Sequence, residues 1–167
     1  RDPLPSRGLG DVYKRQSKSN IGFTEVEFFG YNIKKDYYEL TEERKAVIND
    51  IPFPQATTQM RSFLGACLFF QSFVPNYAQL AAPLNDMIRN DFSWDQSKWT
   101  RDYEDDFRKL KAACNASFKL AFPDFSKRWI LRTDASKVGC GGVLLQEEEV
   151  EDEKILRPVF FVSRKFS

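Results

Sequence analysis

The residues with the clearest chemical potential lie near the end of the chain, where an apolar strand delivers a single carboxylate. Residues 129–134 are predicted to form a strand that ends on Asp134, and a glycine-rich stretch, 139–146, then turns back beside it. A carboxylate fixed on a rigid strand suits the holding of a divalent cation for phosphodiester chemistry. The glycines of the second stretch would let a ligand approach the backbone closely. One carboxylate does not make a two-metal site, so the sequence predicts part of a nucleic-acid enzyme rather than a complete catalyst.

The composition excludes most other kinds of active site. The 167 residues contain no histidine, so imidazole catalysis, His–Cys metal sites and Ser–His triads are ruled out and any chemistry must rest on carboxylates. Cys67, Cys114 and Cys140 are odd in number and widely spaced, which fits reduced thiols better than a disulfide framework or a zinc site. The net charge is +1, so a phosphate backbone would have to be met by local patches or by shape. No apolar run approaches the roughly 20 residues needed to cross a bilayer, and no membrane partner is expected.

The elements that must position these residues begin after an unpatterned leader. Residues 1–20 show no hydrophobic period, resemble translated library-adapter sequence and are predicted to be disordered. The alternation over 23–28 predicts a half-buried strand, and Gly30 within the following aromatic run predicts a bend or hairpin. Thr41 is then a predicted N-cap for a helix that Pro52 ends.

A second helix is predicted over about 58–73, with Thr57 as a plausible N-cap. One face is mostly apolar, and the opposite face carries Arg61, Gly65 and Phe69. Arg61 is the only charged side chain between Pro54 and Asn85, so this region is either heavily buried or built to contact something. An exposed Phe69 on that face calls for an explanation.

The last part of the chain predicts one more amphipathic helix and then a β meander. An apolar stripe from Trp99 to Cys114 indicates the helix, and strands are predicted over 129–134, 141–146 and 157–163. The acidic run 147–153 is predicted to be a solvated loop. The sequence Tyr103-Glu-Asp-Asp106 imitates a polymerase signature, but it lies inside the predicted helix, where its acids would point away from the buried stripe.

Seven short motifs, in one order, carry a resemblance to a known family. Together they closely resemble the polyprotein of Gypsy-type LTR retrotransposons, from the end of the reverse-transcriptase palm into the ribonuclease H domain. The motifs are Val26–Tyr31, Met60–Gly65, Phe73–Tyr77, Ala81–Leu84, Phe122–Phe125, Leu131–Ser136 and Arg157–Lys165.

The resemblance implies an α+β fold in which a helical thumb and connection region precedes an incomplete, ribonuclease H-like, three-stranded antiparallel sheet. Its expected parts are the end of the palm with a primer-grip hairpin at 21–40, the thumb and connection at 41–117, and the truncated ribonuclease H-like part at 118–167. An intracellular location is implied, in the cytoplasm and in the virus-like particle of the parent element.

The resemblance also assigns roles to particular residues. The primer grip, which holds the primer 3′ end, matches Phe28, Phe29, Gly30 and Tyr31. The thumb helix that follows the minor groove of the duplex matches Arg61, Gly65 and Phe69. Asp134 matches the first catalytic, metal-binding aspartate of ribonuclease H, whose cofactor is Mg²⁺.

Each assignment has a purely structural alternative. The hairpin would be only a bend over a small core, Phe69 would pack under a neighbouring helix, and Asp134 would cap the end of its strand. The chain also departs from many relatives at 68–72, where it lacks their asparagine and basic residues, so fewer phosphate contacts are expected.

The implied partners are an RNA/DNA hybrid or primer–template duplex and the remaining parts of the polyprotein. In its parent, the chain would serve RNA-directed DNA synthesis and hydrolysis of RNA in hybrids. As given, it lacks the polymerase carboxylates and most ribonuclease H acids, so it is expected to be inactive with little or no Mg²⁺ bound. Two other functions stay open: a non-catalytic duplex-binding module, and an inert product of a decayed element.

Overall fold

The computed structural model describes residues 22–137, 139–150 and 153–166. The leader predicted over 1–20 lies outside these residues. The described chain has the predicted α+β architecture, with a first sheet, a group of helices and a second sheet in sequence order. The elements are β1 (Glu25–Phe28), β2 (Tyr31–Lys34), β3 (Tyr37–Leu40), α1 (Glu42–Asp50), α2 (Thr57–Leu68), α3 (Tyr77–Asp86), α4 (Tyr103–Asn115), β4 (Leu120–Ala121), β5 (Trp129–Ala135), β6 (Gly139–Val150) and β7 (Glu153–Lys165).

The first sheet is antiparallel and runs β1-β2-β3-β4. Its last strand comes from after the helices, since Tyr37 of β3 pairs with Ala121 of β4. The sheet leads directly into α1, where the Thr41 hydroxyl accepts a hydrogen bond from the Arg44 amide at 3.3 Å. The predicted N-cap is therefore confirmed, and it fixes α1 immediately after the hairpin strands.

The helices enclose the hydrophobic core. The apolar face of α2 is buried as predicted, and Phe63 packs against Phe107 of α4 with ring centroids 4.4 Å apart. The α-helix ends at Leu68 rather than Phe73, and its last predicted turn is a short 3₁₀ segment, Gln71–Phe73. Thr57 is not the N-cap, because its hydroxyl lies 2.9 Å from the indole Nε1 of Trp94 and accepts that hydrogen bond instead. Among the described residues, no helix is long and apolar enough to span a membrane.

The second sheet is antiparallel in the order β5-β6-β7, which confirms the predicted three-stranded meander. Its hairpin is longer than predicted, because the acidic run continues the ladder from β6 into β7 rather than forming a loop. Glu147 lies opposite Leu156, and its carboxylate accepts a hydrogen bond from Lys154 at 2.7 Å. Residues 151 and 152 lie outside the described residues.

Basic residues explain why this acidic run can pair as strands. The carboxylate of Glu148 forms ion pairs with Lys127, at 3.3 Å, and with Arg157. Burial raises the pKa of Glu148, but the hydrogen bonds from these two cations outweigh it and leave the pKa below its ordinary value. For residues 147–150 and 153 the prediction of a solvated loop was wrong, because it considered the acids without their basic partners.

The second sheet contacts the start of α3. The Ser163 hydroxyl of β7 accepts a hydrogen bond from the Ala78 amide at 2.8 Å. Asn76, just before α3, has a left-handed backbone with φ +54°, and its side chain covers Gly141 of β6. A Cβ atom at Gly141 would overlap the Oδ1 atom of Asn76. The glycine therefore allows the sheet and helix to approach each other closely.

Gly141→Ala should lower the free energy of unfolding by about 1–3 kcal/mol, because the added methyl group overpacks this contact. Gly142→Ala is the matched control, since its nearest neighbour would be a valine methyl group at 3.3 Å, and a smaller loss is expected. Urea unfolding followed by circular dichroism measures both. Combining Gly141→Ala with Asn76→Gly should recover part of the loss, and additive effects in the double variant would contradict this origin.

Candidate nucleic-acid interface and metal ligand

Two aromatic rings stand out from the first sheet at the end of the β1–β2 hairpin. Phe28 pairs with Tyr31 across a two-residue turn of Phe29 and Gly30, whose φ angles are +51° and +80°. Positive φ at both positions is typical of the tight turn that suits twisted strands. The side chains of Phe28 and Phe29 are 57% and 77% exposed, and their rings meet edge to face with centroids 4.4 Å apart. The turn thus presents a rigid apolar tip, defined here as Phe28 and Phe29.

The other two hairpin residues support this tip from below. Tyr31 is half-buried, with its ring centroid 5.0 Å from that of Phe69 and 5.8 Å from that of Phe73. The Gly30 carbonyl accepts a hydrogen bond from the Thr41 amide at 3.1 Å. Tyr31 and Gly30 therefore hold the tip against the helices, whereas Phe28 and Phe29 face outward.

The helix α2 is connected to this hairpin through Phe69, which directly follows the helix and packs against Tyr31. Arg61 and Gly65 are exposed, and a Cβ atom at Gly65 would meet nothing within 4 Å outside its own helix. The guanidinium group of Arg61 donates a long hydrogen bond to the carbonyl oxygen of Ile88, with Nη2 3.5 Å from that oxygen. The surface of α2 is thus open at Gly65, its one residue without a side chain.

Phe69 connects this face with the hairpin. It is half-buried, and it packs against Tyr31 of the hairpin rather than standing free on the helix. The guanidinium carbon of Arg44 lies 4.5 Å from the centroid of its ring. Phe69 therefore packs against other residues, as its structural alternative expected. It packs under the hairpin and Arg44, however, and not under a neighbouring helix.

Sequence reasoning did not select Arg44. It lies in the first turns of α1, among the acids Glu42 and Glu43, where a basic residue is typical of an ordinary solvated helix. Only the folded chain brings its guanidinium beside Gly30 and over Phe69. The spacing of Gly30, Arg44 and Phe69 along the sequence does not predict that they meet.

Asp134 lies in the second sheet, one residue before the end of β5, and pairs with Gly141 of β6. Its side chain is exposed, and within the described ranges it forms no ion pair. It lines a cavity of about 190 Å³ together with Asn76, Arg132 and Gly141, among others. The carboxylate is thus neither sealed in an apolar interior nor neutralised by a salt bridge, and a ligand can reach it.

The described residues do not by themselves make a magnesium site. Across 22–137, 139–150 and 153–166, no three histidine, cysteine, aspartate or glutamate side chains lie together where they could hold a metal ion. Mg²⁺ requires near-octahedral oxygen coordination, usually with more than one protein carboxylate in a two-metal site. Asp134 offers one carboxylate, which fits one ligand position and not a whole site.

The polymerase-like signature is occupied by structural contacts. It begins α4 at Tyr103, as predicted for a helix, but Asp106 is buried rather than pointing away. Asp106 accepts hydrogen bonds from the Arg101 guanidinium, one of them at 2.9 Å. Asp105 pairs with Lys109, whose hydrogen bond lowers the pKa of that carboxyl. Both acids therefore form ion pairs with basic side chains of the same region.

Comparison with known proteins finds a matching family model and similar polyproteins. Residues 99–167 match the family model of an RNase H-like domain found in reverse transcriptase. The chain is 32% identical over 172 residues to the retrovirus-related Pol polyprotein from transposon opus of Drosophila melanogaster, with 98% of the chain and 17% of the relative covered. It is also 32% identical over 167 residues to the transposon Tf2-3 polyprotein of Schizosaccharomyces pombe, covering all of the chain and 12% of that relative. The chain thus spans less than a fifth of the length of these relatives.

Solved structures share the fold. The foamy viral protease-reverse transcriptase in complex with dsDNA superimposes with a TM-score of 0.69 and 24% identity, over 90% of this chain and 30% of that one. The same viral protein in complex with an RNA/DNA hybrid gives a TM-score of 0.68 and 21% identity, over 98% of this chain and 24% of that one. The chain is therefore similar along its length to one segment of retrotransposon polyproteins, and residues 99–167 match the model of an RNase H-like domain found in reverse transcriptase.

Proposed function

We propose that this chain is the duplex-holding segment of a Gypsy-type reverse transcriptase and ribonuclease H. In the longer polyprotein it would support RNA-directed DNA synthesis and hydrolysis of RNA in RNA/DNA hybrids. The proposal divides the chain into the end of the palm with its primer grip (21–40), the thumb and connection (41–117) and the start of the ribonuclease H-like part (118–167). It carries with it an intracellular location in the virus-like particle of the parent element.

The observation that carries the proposal is the contact between the hairpin and α2. Tyr31 of the hairpin packs against Phe69, which directly follows the last residue of α2, so the exposed tip and the end of the helix are joined by this contact. The tip offers aromatic rings for stacking or apolar contact with nucleotides, and base stacking on an aromatic ring contributes about 1–3 kcal/mol. Gly65 leaves room on the helix for a sugar–phosphate backbone. Foamy viral reverse transcriptase, which shares the fold, is known in complex with such duplexes.

The proposed role of Asp134 is to supply one carboxylate of a magnesium site in the ribonuclease H-like part. When bound, Mg²⁺ would orient the attacking water and stabilise the leaving oxygen of the RNA strand. Within this chain, Asp134 would provide an exposed ligand at a fixed position on β5, where it pairs with Gly141 of β6. Residues elsewhere in the polyprotein would have to complete the ligand set.

The purified chain alone should therefore show no appreciable hydrolysis of a labelled RNA/DNA hybrid in the presence of Mg²⁺. The reason is the incomplete ligand set around Asp134 in the described residues. A time course on denaturing gels measures the cleavage. Hydrolysis by the isolated chain that disappears in Asp134→Asn would contradict this expectation.

Gly65→Ala separates a duplex-contacting role for α2 from a structural one. Since nothing surrounds the position, the methyl group should raise the free energy of unfolding by up to about 1 kcal/mol through helix propensity. The same methyl group should weaken binding to an RNA/DNA hybrid about fivefold or more, because it blocks the close approach of the backbone. Thermal unfolding and gel-shift titration measure the two effects. A more stable variant with unchanged binding would remove α2 from the proposed interface.

A second candidate function is duplex binding without any part in hydrolysis. It is favoured by the lack of a metal-binding cluster among the described residues. It shares the interface with the main proposal and differs only at Asp134. The behaviour of Asp134→Asn in the longer polyprotein distinguishes the two.

A further inference from the structure

Arg44 lies at the junction of the hairpin and α2, where its guanidinium group is close to both Phe69 and Gly30. The guanidinium carbon lies 4.5 Å from the centroid of the Phe69 ring. Its Nε atom lies 2.9 Å from the position that a Cβ atom would take on Gly30. A side chain that stacks in this way has lost much of its freedom before any ligand arrives.

This guanidinium has no carboxylate partner among the residues that the structure describes. Its neighbour Lys45 differs, because its ammonium group donates to Glu42 at 2.9 Å. Arg44 is nevertheless exposed. A fixed, solvent-accessible guanidinium with unpaired charge is suited to receive an anion.

The surroundings of Arg44 indicate which anion. The segment that contains α2 carries a single charged side chain, Arg61, so Arg44 supplies a second positive charge to this part of the chain. The acids Glu42 and Glu43 lie on the same helix turn, but neither forms an ion pair with Arg44 among the described residues. The planar fork of arginine matches a phosphate group, which it can bind through two parallel hydrogen bonds. The aromatic tip lies immediately beyond Gly30.

We propose that Arg44 binds a backbone phosphate of the duplex, next to the nucleotides that contact the aromatic tip. This inference rests on the proposed function and adds a residue to it. The phosphate contact would fix the position of the strand relative to the hairpin and would carry no sequence preference.

The test compares two substitutions that separate charge from packing. Arg44→Gln removes the charge but keeps a planar end that can lie on Phe69. Arg44→Lys keeps the charge but loses the fork. Arg108→Ala is the matched control, because Arg108 is an exposed arginine on α4 that pairs with Asp105 at 3.7 Å, and its loss changes net charge equally.

Fluorescence anisotropy with a short labelled RNA/DNA hybrid, over a series of salt concentrations, gives both affinity and salt dependence. Arg44→Gln should weaken binding about tenfold and reduce the slope of log affinity against log salt by about 1. Arg44→Lys should restore the slope and recover the affinity only in part. Arg108→Ala should stay within about twofold of the unsubstituted chain, and circular dichroism confirms that each variant is folded.

The outcomes distinguish this inference from the function on which it rests. If the unsubstituted, folded chain does not bind the hybrid, the proposed function itself fails. If it binds, and Arg44→Gln matches Arg108→Ala in affinity and slope, the phosphate contact is overturned while the interface stands. A loss of affinity in Arg44→Gln with an unchanged slope would also overturn it, since no charge would then be involved.

Discussion

Replacing both Phe28 and Phe29 by alanine should weaken binding of an RNA/DNA hybrid by about 10- to 100-fold and leave the melting temperature nearly unchanged. Both rings are mostly exposed and pack chiefly against each other, so their removal leaves the core intact. Each ring that contacts a nucleotide contributes about 1–3 kcal/mol, which gives a large effect when both are lost. Anisotropy titration and a thermal melt measure the two quantities.

Phe125→Ala is the matched control for this pair. Phe125 is 87% exposed and lies just before β5, where its ring contacts Trp129 rather than the hairpin. Its removal tests whether any exposed aromatic ring contributes to binding through nonspecific stacking. Equal losses of affinity at Phe125 and at the tip would contradict a defined interface.

Asp134→Asn, introduced into the polyprotein with its flanking residues, should lower hydrolysis of the RNA strand by at least about 100-fold. Changes to residues that merely support a metal ligand already cost 10- to 100-fold, and a ligand should cost more. Hybrid binding should change little, because Asp134 belongs to the second sheet and not to the hairpin or α2. Initial rates with Mg²⁺ and equilibrium binding separate chemistry from affinity.

Glu149→Gln removes another exposed carboxylate from the same sheet and should leave hydrolysis unchanged. It lies toward the far end of the β6–β7 hairpin, opposite Lys154. If Asp134→Asn cleaves as fast as Glu149→Gln, the metal-ligand role is wrong, and duplex binding without hydrolysis becomes the better account.

Local patterns in the sequence predicted much of the framework because they depend on near neighbours. The Thr41 cap, the buried face that includes Met60 and Phe63, and the glycine turn at Gly30 all follow from periodicity and backbone preference. The strand predicted over 129–134 is also present, as β5 (Trp129–Ala135). Each of these features is determined within a few residues.

The features that sequence reasoning missed depend on residues far apart in the chain. Thr57 hydrogen-bonds Trp94 instead of capping its helix, and Glu148 is stabilised by Lys127 and Arg157 in a ladder that was predicted to be a loop. The position of Arg44 over Phe69 likewise requires the hairpin, α1 and α2 to be assembled. Periodicity cannot predict such contacts, because only the folded chain chooses among the possible partners.

Hydrogen exchange of the backbone amides, measured with and without a short RNA/DNA hybrid, tests most directly where the duplex binds. Phe29 of the hairpin turn is exposed and Gly30 is partly exposed, so the turn amides should exchange rapidly in the free chain. Binding is expected to slow exchange at this turn and along the outer face of α2 around Gly65, with little change in α4. A saturated complex in which the hairpin and α2 exchange as in the free chain, or in which protection lies on α4, would contradict the proposed interface.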